Sequence, residues 1–496
     1  MACATCWTRA IPADRFKPIS PYYLFFDETT LMTDLIDLNT LEILALYRQK
    51  KLSPSEYWQA VEARIDAFEP TVNALYAYDP EDARKQALAS TERWQKGETL
   101  GALDGIPVSL KELIATKGQP VPLGTKAVEL VPALEDAPVA ARCREDGAIL
   151  YAKTTCPDYG MLSSGLSSFH KLSRNPWDPT QNPGGSSAGA ASAGAAGYGT
   201  LHIGTDIGGS VRLPAGWTGL FGFKPSQGRI PVDPYYTGRC AGPMTRTVVD
   251  AAYAMATLSR PDWRDGTALP PNDINWMDLD INVKGLKIGL MLDAGCGLPL
   301  ENEVRDAVLS AAKLFEEAGA IVIPVEPVLT RDMLDGLDDF WRAKFWGDMA
   351  GLSAERRGAI LPYIHEWAEK GADVSGARAV FGFNQTMEMR RSCGRLMQSV
   401  DVVISPVNPI VSYPADWASP TNDPERPFEH IAFTVPWNMS EQPASSINCG
   451  FSKSGMPIGL QIVGPRYEDL FVLKLSKVFE DWGGGVRRWP EPPERR

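Results

Sequence analysis

The first regular pattern along the chain opens at Ser53-Pro54-Ser55-Glu56. Ser53 has the side chain of a helix N-cap, Pro54 suits the first helical position, and Glu56 can close a capping box. Tyr57, Val61, Ile65 and Phe68 follow at helical spacing and give the segment one apolar face that has to pack on something. Short apolar runs with strand character stand at Val108-Ser109-Leu110, from Ala148 to Tyr151 and from Leu286 to Leu290, the last alternating with period two. Between Glu301 and Ala318, the residues Val304, Val308, Ala311, Ala312 and Phe315 form a second helical stripe. It stops at Gly319, and Ala320 to Ile323 reads as a strand again. Helix then strand, repeated, predicts an α/β fold.

Two segments interrupt this rhythm. Residues 406–428 are rich in proline and read as loop. Residues 172–228 are crowded with Gly, Ser, Ala, Pro and Asn, a composition that by itself reads as a flexible linker. Trp177, Trp217, Phe221 and Phe223 run through that tract, however, and a solvated linker does not carry them. The expectation is packed backbone in close approach to something.

Composition narrows the classes. Apolar residues are 44% and charged residues 22%, ordinary globular usage, so disordered and fibrous classes are excluded. The net charge of −12 argues against a nucleic-acid partner, which needs a basic face. No run of 18 apolar residues occurs, so no membrane span is expected. The eight cysteines form no short repeating frame and are read as reduced thiols of a cytoplasmic protein. Cys3 and Cys6 make a C-x-x-C pair, but no second pair follows at zinc-ribbon spacing. Residues 1–31 lack the charged and apolar regions of a signal peptide. They read as a loosely ordered extension or an over-long choice of start codon, with the domain proper over residues 32–496.

Three chemistries can be tested against the tract. Gly185-Ser186-Ser187-Ala188-Gly189 matches the G-x-S-x-G elbow and would nominate Ser187, but that elbow follows a buried strand and here the preceding residues are Asn175 to Pro183. The four histidines (His170, His202, His365, His430) lie in no recognisable triad motif. Neither a P-loop nor the dinucleotide-binding glycine spacing is present. A histidine-poor hydrolase needs another base.

Four motifs carry a specific resemblance. They are Gly184-Gly185-Ser186-Ser187-Ala188-Gly189, then Gly204-Thr205-Asp206-Ile207-Gly208-Gly209-Ser210-Val211-Arg212-Leu213-Pro214-Ala215, with Leu103 to Glu112 upstream and Gly222 to Ser226 downstream. Together they resemble the amidase signature family, whose two motif serines are spaced as Ser186 and Ser210 are here, 24 positions apart. Met456 to Gly464 is similar to the family's C-terminal strand, so the likeness runs from about Leu41 to about Phe479. Ala188 and Ala190 stand where many relatives have glycine and serine; both are small, and tight packing is expected to survive.

The resemblance implies one large α/β domain, a mixed central β-sheet covered by helices on both faces. It also implies a Ser-Ser-Lys triad with Ser210 as nucleophile, Ser186 as proton relay after a cis Gly185–Ser186 peptide, and Lys111 as base. A lysine base has to be neutral at rest, and Val108 and Leu110 beside it fit the burial this needs. A turn serine and a solvated surface lysine are the plain alternatives for Ser210 and Lys111. The backbone N–H groups of Ile207, Gly208, Gly209 and Ser210 are the implied oxyanion hole. Asp206 and Arg212 are either an ion pair shaping that loop or an ordinary structural salt bridge. Gly160, with Tyr159 and Met161, is implied to line the acyl pocket, against a simple turn after Pro157. Phe340, Trp341, Phe345, Trp346, Tyr363 and Trp367 could line an aromatic pocket, although such side chains are more often core.

The implied reaction is hydrolysis of a small-molecule amide through an acyl-enzyme, with neither metal nor organic cofactor, by a cytoplasmic protein for which a homodimer is one assembly allowed. Carbamate and ester hydrolysis share the same tetrahedral chemistry. The rival from another class is a partner-dependent subunit of the amidotransferase A type.

Overall fold

The computed structural model describes residues 35–486 and 488–492; the amino-terminal segment 1–31 and the Cys3/Cys6 pair lie outside the described residues. The helix expected after Ser53 runs Pro54–Val72, and its capping box is formed on both sides: Ser53 accepts from the Glu56 N–H and Glu56 accepts from the Ser53 N–H. Tyr57, Val61, Ile65 and Phe68 are buried along it, each worth about 1.5–3 kcal/mol of transfer free energy. The second stripe forms the helix Asn302–Glu317, with Val304, Val308, Ala311, Ala312 and Phe315 buried and Gly319 following at a positive φ of 93°.

The strands among the described residues are β1 (Leu75–Tyr76), β2 (Pro107–Lys111), β3 (Ile149–Thr154), β4 (Leu201–Asp206), β5 (Phe221–Lys224), β6 (Cys240–Thr245), β7 (Lys287–Leu290), β8 (Ile321–Pro324), β9 (Val402–Pro406), β10 (Ala444–Phe451) and β11 (Pro457–Val463). They form one sheet in the order β1-β3-β2-β4-β6-β5-β10-β11-β9-β7-β8. β3, β2 and β4 are mutually parallel at one wing and β9, β7 and β8 at the other, while the centre from β4 to β9 is antiparallel. The sheet is thus mixed, as expected.

Helices cover both faces. Alternate residues of a strand point to opposite sides, and on β9 Val402 and Ile404 join one apolar cluster while Val403 joins the other. The first cluster is completed by Pro54–Val72, Val248–Leu258, Asn302–Glu317 and Asp469–Asp481. The second is completed by Arg331–Ala350, Pro362–Glu369 and Gly376–Leu396.

The Gly/Ser/Ala tract is packed backbone. It holds the helix Ala188–Ala196, all nine residues of which are buried, then β4, the helix Arg212–Thr218 and β5, also buried throughout. A helix without a large side chain lets the sheet approach its backbone: a Cβ on Gly189 would run into the Ala74 carbonyl and the Thr155 backbone. The small residues at Ala188 and Ala190 fit this packing. The loop expected over residues 406–428 begins one residue late, since Pro406 closes β9, and residues 407–428 contain no helix or longer strand. Among the described residues no helix is long and apolar enough to cross a membrane, and the six described cysteines form no disulfide with one another.

Candidate active site

β2 and β4 are parallel neighbours, so their carboxyl ends open on the same edge of the sheet, where α/β sheets place ligands. β2 ends on Lys111 and β4 on Asp206. Lys111 is fully buried; its Nζ lies 2.7 Å from Ser186 Oγ and 3.1 Å from Thr205 Oγ1. Among the described residues, those two hydroxyls are its hydrogen-bond partners. Burial pulls its pKa from 10.5 to about 8, with Arg239 pushing the same way and Cys156, Glu112 and Asp206 opposing.

Ser186 is buried and follows a cis Gly185–Ser186 peptide, the geometry expected for it. The next residue ties in Ser210: the Ser187 N–H donates to the Ser210 carbonyl at 3.3 Å. Ser210 itself is half-buried. Ser187 is fully buried, with its Oγ 3.3 Å from both the N and the O of Thr205, so the serine of the G-x-S-x-G match is occupied in holding β4. Among the described hydrogen bonds no histidine joins Ser186, Ser187 or Ser210. His202 meets Ser109 and His430 meets Ser163, and burial drives both imidazoles down to about 3, which leaves them neutral.

The turn Ile207–Ser210 follows β4 directly. Gly209 adopts a φ of 127°, and a Cβ there would stand 2.5 Å from Thr434 Oγ1, so only glycine fits. Thr434 Oγ1 also donates to the Gly208 carbonyl at 2.6 Å. Four N–H donors were expected to face an oxyanion, and here the structure departs from the expectation. The Gly209 N–H donates to Asp206 Oδ1 at 2.8 Å, because the Asp206 carboxylate curls under the turn and also accepts from the Val211 N–H. Among the described residues, the N–H groups of Ile207, Gly208 and Ser210 have no protein acceptor.

Asp206 and Arg212 are both completely buried and paired at 2.9 Å. Burial alone would raise the Asp206 pKa, but the charge and hydrogen bonds of Arg212 hold it well below the usual carboxylate range. Arg212 donates further to Gln461 Oε1 at 2.6 Å, Asn438 Oδ1 at 2.5 Å and the Thr434 carbonyl at 3.0 Å. The pair therefore shapes the turn and is a buried structural bridge at once.

Gly160, at a φ of 68°, lies against Ser186: a Cβ on it would sit 3.5 Å from Ser186 Oγ. Tyr159 meets Phe345 edge-on at 6.3 Å, and Met161 is half-buried on the same apolar cluster. The aromatic group divides. Trp341 and Trp367 are core, and Tyr363 donates to the Asp423 carbonyl at 2.8 Å. Phe345 faces Tyr159, and the Trp341 ring edge would lie 3.7 Å from a Cβ on Gly208.

Several supporting residues carried no assigned role in the sequence reading. Thr205 and Glu112 stand inside the quoted motifs; Glu112 adjoins Lys111 in the sequence, whereas Thr205, 94 positions away, gave no local signal of its contact with it. Glu112 is buried and accepts from Cys156 Sγ at 3.0 Å; burial raises its carboxyl to about 7, against Cys156, Lys153, Gly124 and Lys111. Asn438, Gln461 and Thr434 lie more than 200 residues from the turn they hold and left no local signal.

The family model described as Amidase matches residues 56–473, and the chain belongs to that family, the amidase signature enzymes, which act on C–N bonds as hydrolases or amidotransferases. It is 31% identical over 482 residues to the A-type subunit of the glutamyl-tRNA(Gln) amidotransferase of Chloroflexus aurantiacus, covering 90% of this chain and 97% of the relative. It is also 31% identical over 471 residues to an acylamidase of Rhodococcus erythropolis, covering 92% and 96%. The solved structure of a bacterial aryl acylamidase of the amidase signature family superposes with a TM-score of 0.83 at 29% identity, covering 90% of this chain and 96% of that one.

Proposed function

We propose that the chain is an amidase that hydrolyses small-molecule amides through Ser210, Ser186 and Lys111. The observation that carries the reading is a fully buried lysine whose partners are two hydroxyls, 2.7 Å from Ser186, with its pKa drawn to about 8. As a neutral amine Lys111 accepts the proton of Ser186 while Ser186 takes that of Ser210, and the Ser210 Oγ attacks the amide carbonyl. The developing oxyanion meets the N–H groups of Ile207, Gly208 and Ser210. The proton returns through Ser186 to the leaving amine, and water then releases the acyl group from Ser210. Gly160, Tyr159 and Met161 flank the acyl group. Carbamates and esters are accessible to the same chemistry. The catalytic domain is taken as residues 32–496, acting in the cytoplasm.

A fluorophosphonate or sulfonyl reagent should label Ser210, and Ser210→Ala should abolish turnover with the fold intact. Mass spectrometry that finds the label on Ser187 would overturn the assignment.

A second reading, a partner-dependent amidotransferase component of the A type, is favoured by the 31% identity to the Chloroflexus aurantiacus relative. The two separate cleanly. The purified chain alone should hydrolyse simple amides without partner or ATP, and a strict requirement for either would favour the second reading.

A further inference from the structure

One cation beside this site has donors that the protein does not use. Arg239 immediately precedes β6, whose Cys240 pairs with Asp206, so Arg239 stands opposite Ile207, the first residue of the oxyanion turn. Its backbone is pinned: the Arg239 N–H donates to the Tyr236 carbonyl at 2.9 Å, and Asn438 Nδ2 donates to the preceding Gly238 carbonyl at 3.0 Å. Asn438 also holds Arg212 and Asp206, which ties the Arg239 stem to the buried network under the turn.

The guanidinium itself is nearly free. Among the described residues it makes one hydrogen bond, from Nη1 to the Pro234 carbonyl at 3.2 Å, and has no carboxylate at ion-pair distance. Part of its surface stays open to solvent. It nevertheless lies deep enough that burial lowers its pKa, Asp233 opposing, and its charge is felt at Lys111. Depth together with access is the signature of a residue lining a cleft. A guanidinium offers five N–H donors in a rigid fork, and unmet donors in a half-buried position are costly unless a ligand or water takes them. In a chain of net charge −12, a cation with unmet donors also draws anions to this point over the rest of the surface.

We propose that Arg239 is a specificity-determining residue that receives a carboxylate of the substrate, so that the preferred substrates are amides carrying a carboxylate on the acyl or amine part. The assignment rests on the amidase reading above. One guanidinium balances one negative charge, and its planar fork matches a carboxylate in the bidentate manner. The carboxylate would sit beside the Ile207–Ser210 turn while the scissile carbonyl points at its N–H groups.

The test uses matched pairs on the full chain: monoamides of linear dicarboxylic acids against fatty amides of equal length, and N-acyl ω-amino acids against N-acyl alkylamines. At one spacing or more, kcat/KM should favour the carboxylated member by about tenfold or more, the worth of a charged hydrogen-bond pair. Arg239→Met should erase most of that ratio and Arg239→Lys restore part of it, measured on the alkaline plateau so that a change in Lys111 does not enter. A merely structural role would lower both members alike and leave the ratio standing. Calorimetry on Ser210→Ala protein gives the second arm: the carboxylated ligands should bind, and Arg239→Met should weaken them about tenfold or more. A ratio near one at every spacing, or one that survives Arg239→Met, overturns the proposal while leaving the amidase reading intact. Absence of turnover on all pairs, with Arg239-dependent binding retained, overturns the amidase reading and leaves Arg239 as the receiver of a ligand carboxylate.

Discussion

Lys111 and Arg212 are both cations with no exposed surface, and they sit on the two sides of one turn under opposite conditions. Arg212 is saturated: it meets Asp206, Gln461, Asn438 and a backbone carbonyl, and its partner carboxylate stays ionised in the interior. Lys111 meets two hydroxyls and no carboxylate, so desolvation dominates and its pKa falls to about 8. An interior charge is held where partners saturate it and is more easily given up where they do not. Only the cation that surrenders its charge can serve as a base, and arginine, charged at any working pH, is confined to the scaffold side.

The comparison breaks most completely at Lys111. Lys111→Met should lower kcat/KM by about 10²–10⁴-fold, the range of a general base, with circular dichroism unchanged. Near-normal activity would end the lysine mechanism. Arg212→Met attacks the other side and should cost about 3–5 kcal/mol of stability, since it strands the Asp206 charge. The denaturant midpoint reads this directly. Asp206→Asn added to Arg212→Met should recover part of the loss, and a midpoint unmoved by the single change would show that the pair does not hold the turn.

A smaller effect is expected at Thr205. Thr205→Val removes one of the two hydroxyls on Lys111 and should cost about 1 kcal/mol, or roughly fivefold in kcat/KM. The smallest sharpens the pKa. If Lys111 acts as the proposed base, its neutral amine is the active form and kcat/KM should climb with pH and level off above about 8. The Glu112 carboxylate favours the charged lysine, so Glu112→Gln should slide the rising limb to lower pH. A limb that shifts upward, or that lies in the range of an ordinary histidine, contradicts the assignment.

Local signals in the sequence carried far. The capping box at Ser53 and Glu56, the stripe from Val304 to Phe315 and the aromatics threaded through residues 172–228 each report contacts made within a few residues or a buried face. They foretold helices and packed backbone that the structure contains. Strand ends shifted by a residue or more: β3 starts at Ile149 and runs on to Thr154, because its pairing with β2, not its own pattern, sets its length. The antiparallel centre of the sheet was not legible as a whole: β10 and β11 form a local hairpin, but β5 meets β10 through pairs such as Lys224 with Ala444, far apart along the chain. The meeting of Lys111 with Ser186 was expected from motif likeness. The diversion of the Gly209 N–H to Asp206 was not, because a motif names residues without saying which acceptor wins a given donor.

The helix Ala188–Ala196 has a consequence for anyone who wishes to redesign this enzyme. Ser186 is anchored two residues before a rod whose neighbours rest on bare backbone, with no gap large enough for an added methyl at Gly189. Saturation libraries built there should return almost only inactive clones, whereas the flank formed by Arg331–Ala350, with half-buried Phe340 and Phe345, has room to trade one side chain for another. Screening effort is therefore best divided unequally, withheld from the rod and concentrated on the flank, where a change of appetite need not disturb the hardware that cuts.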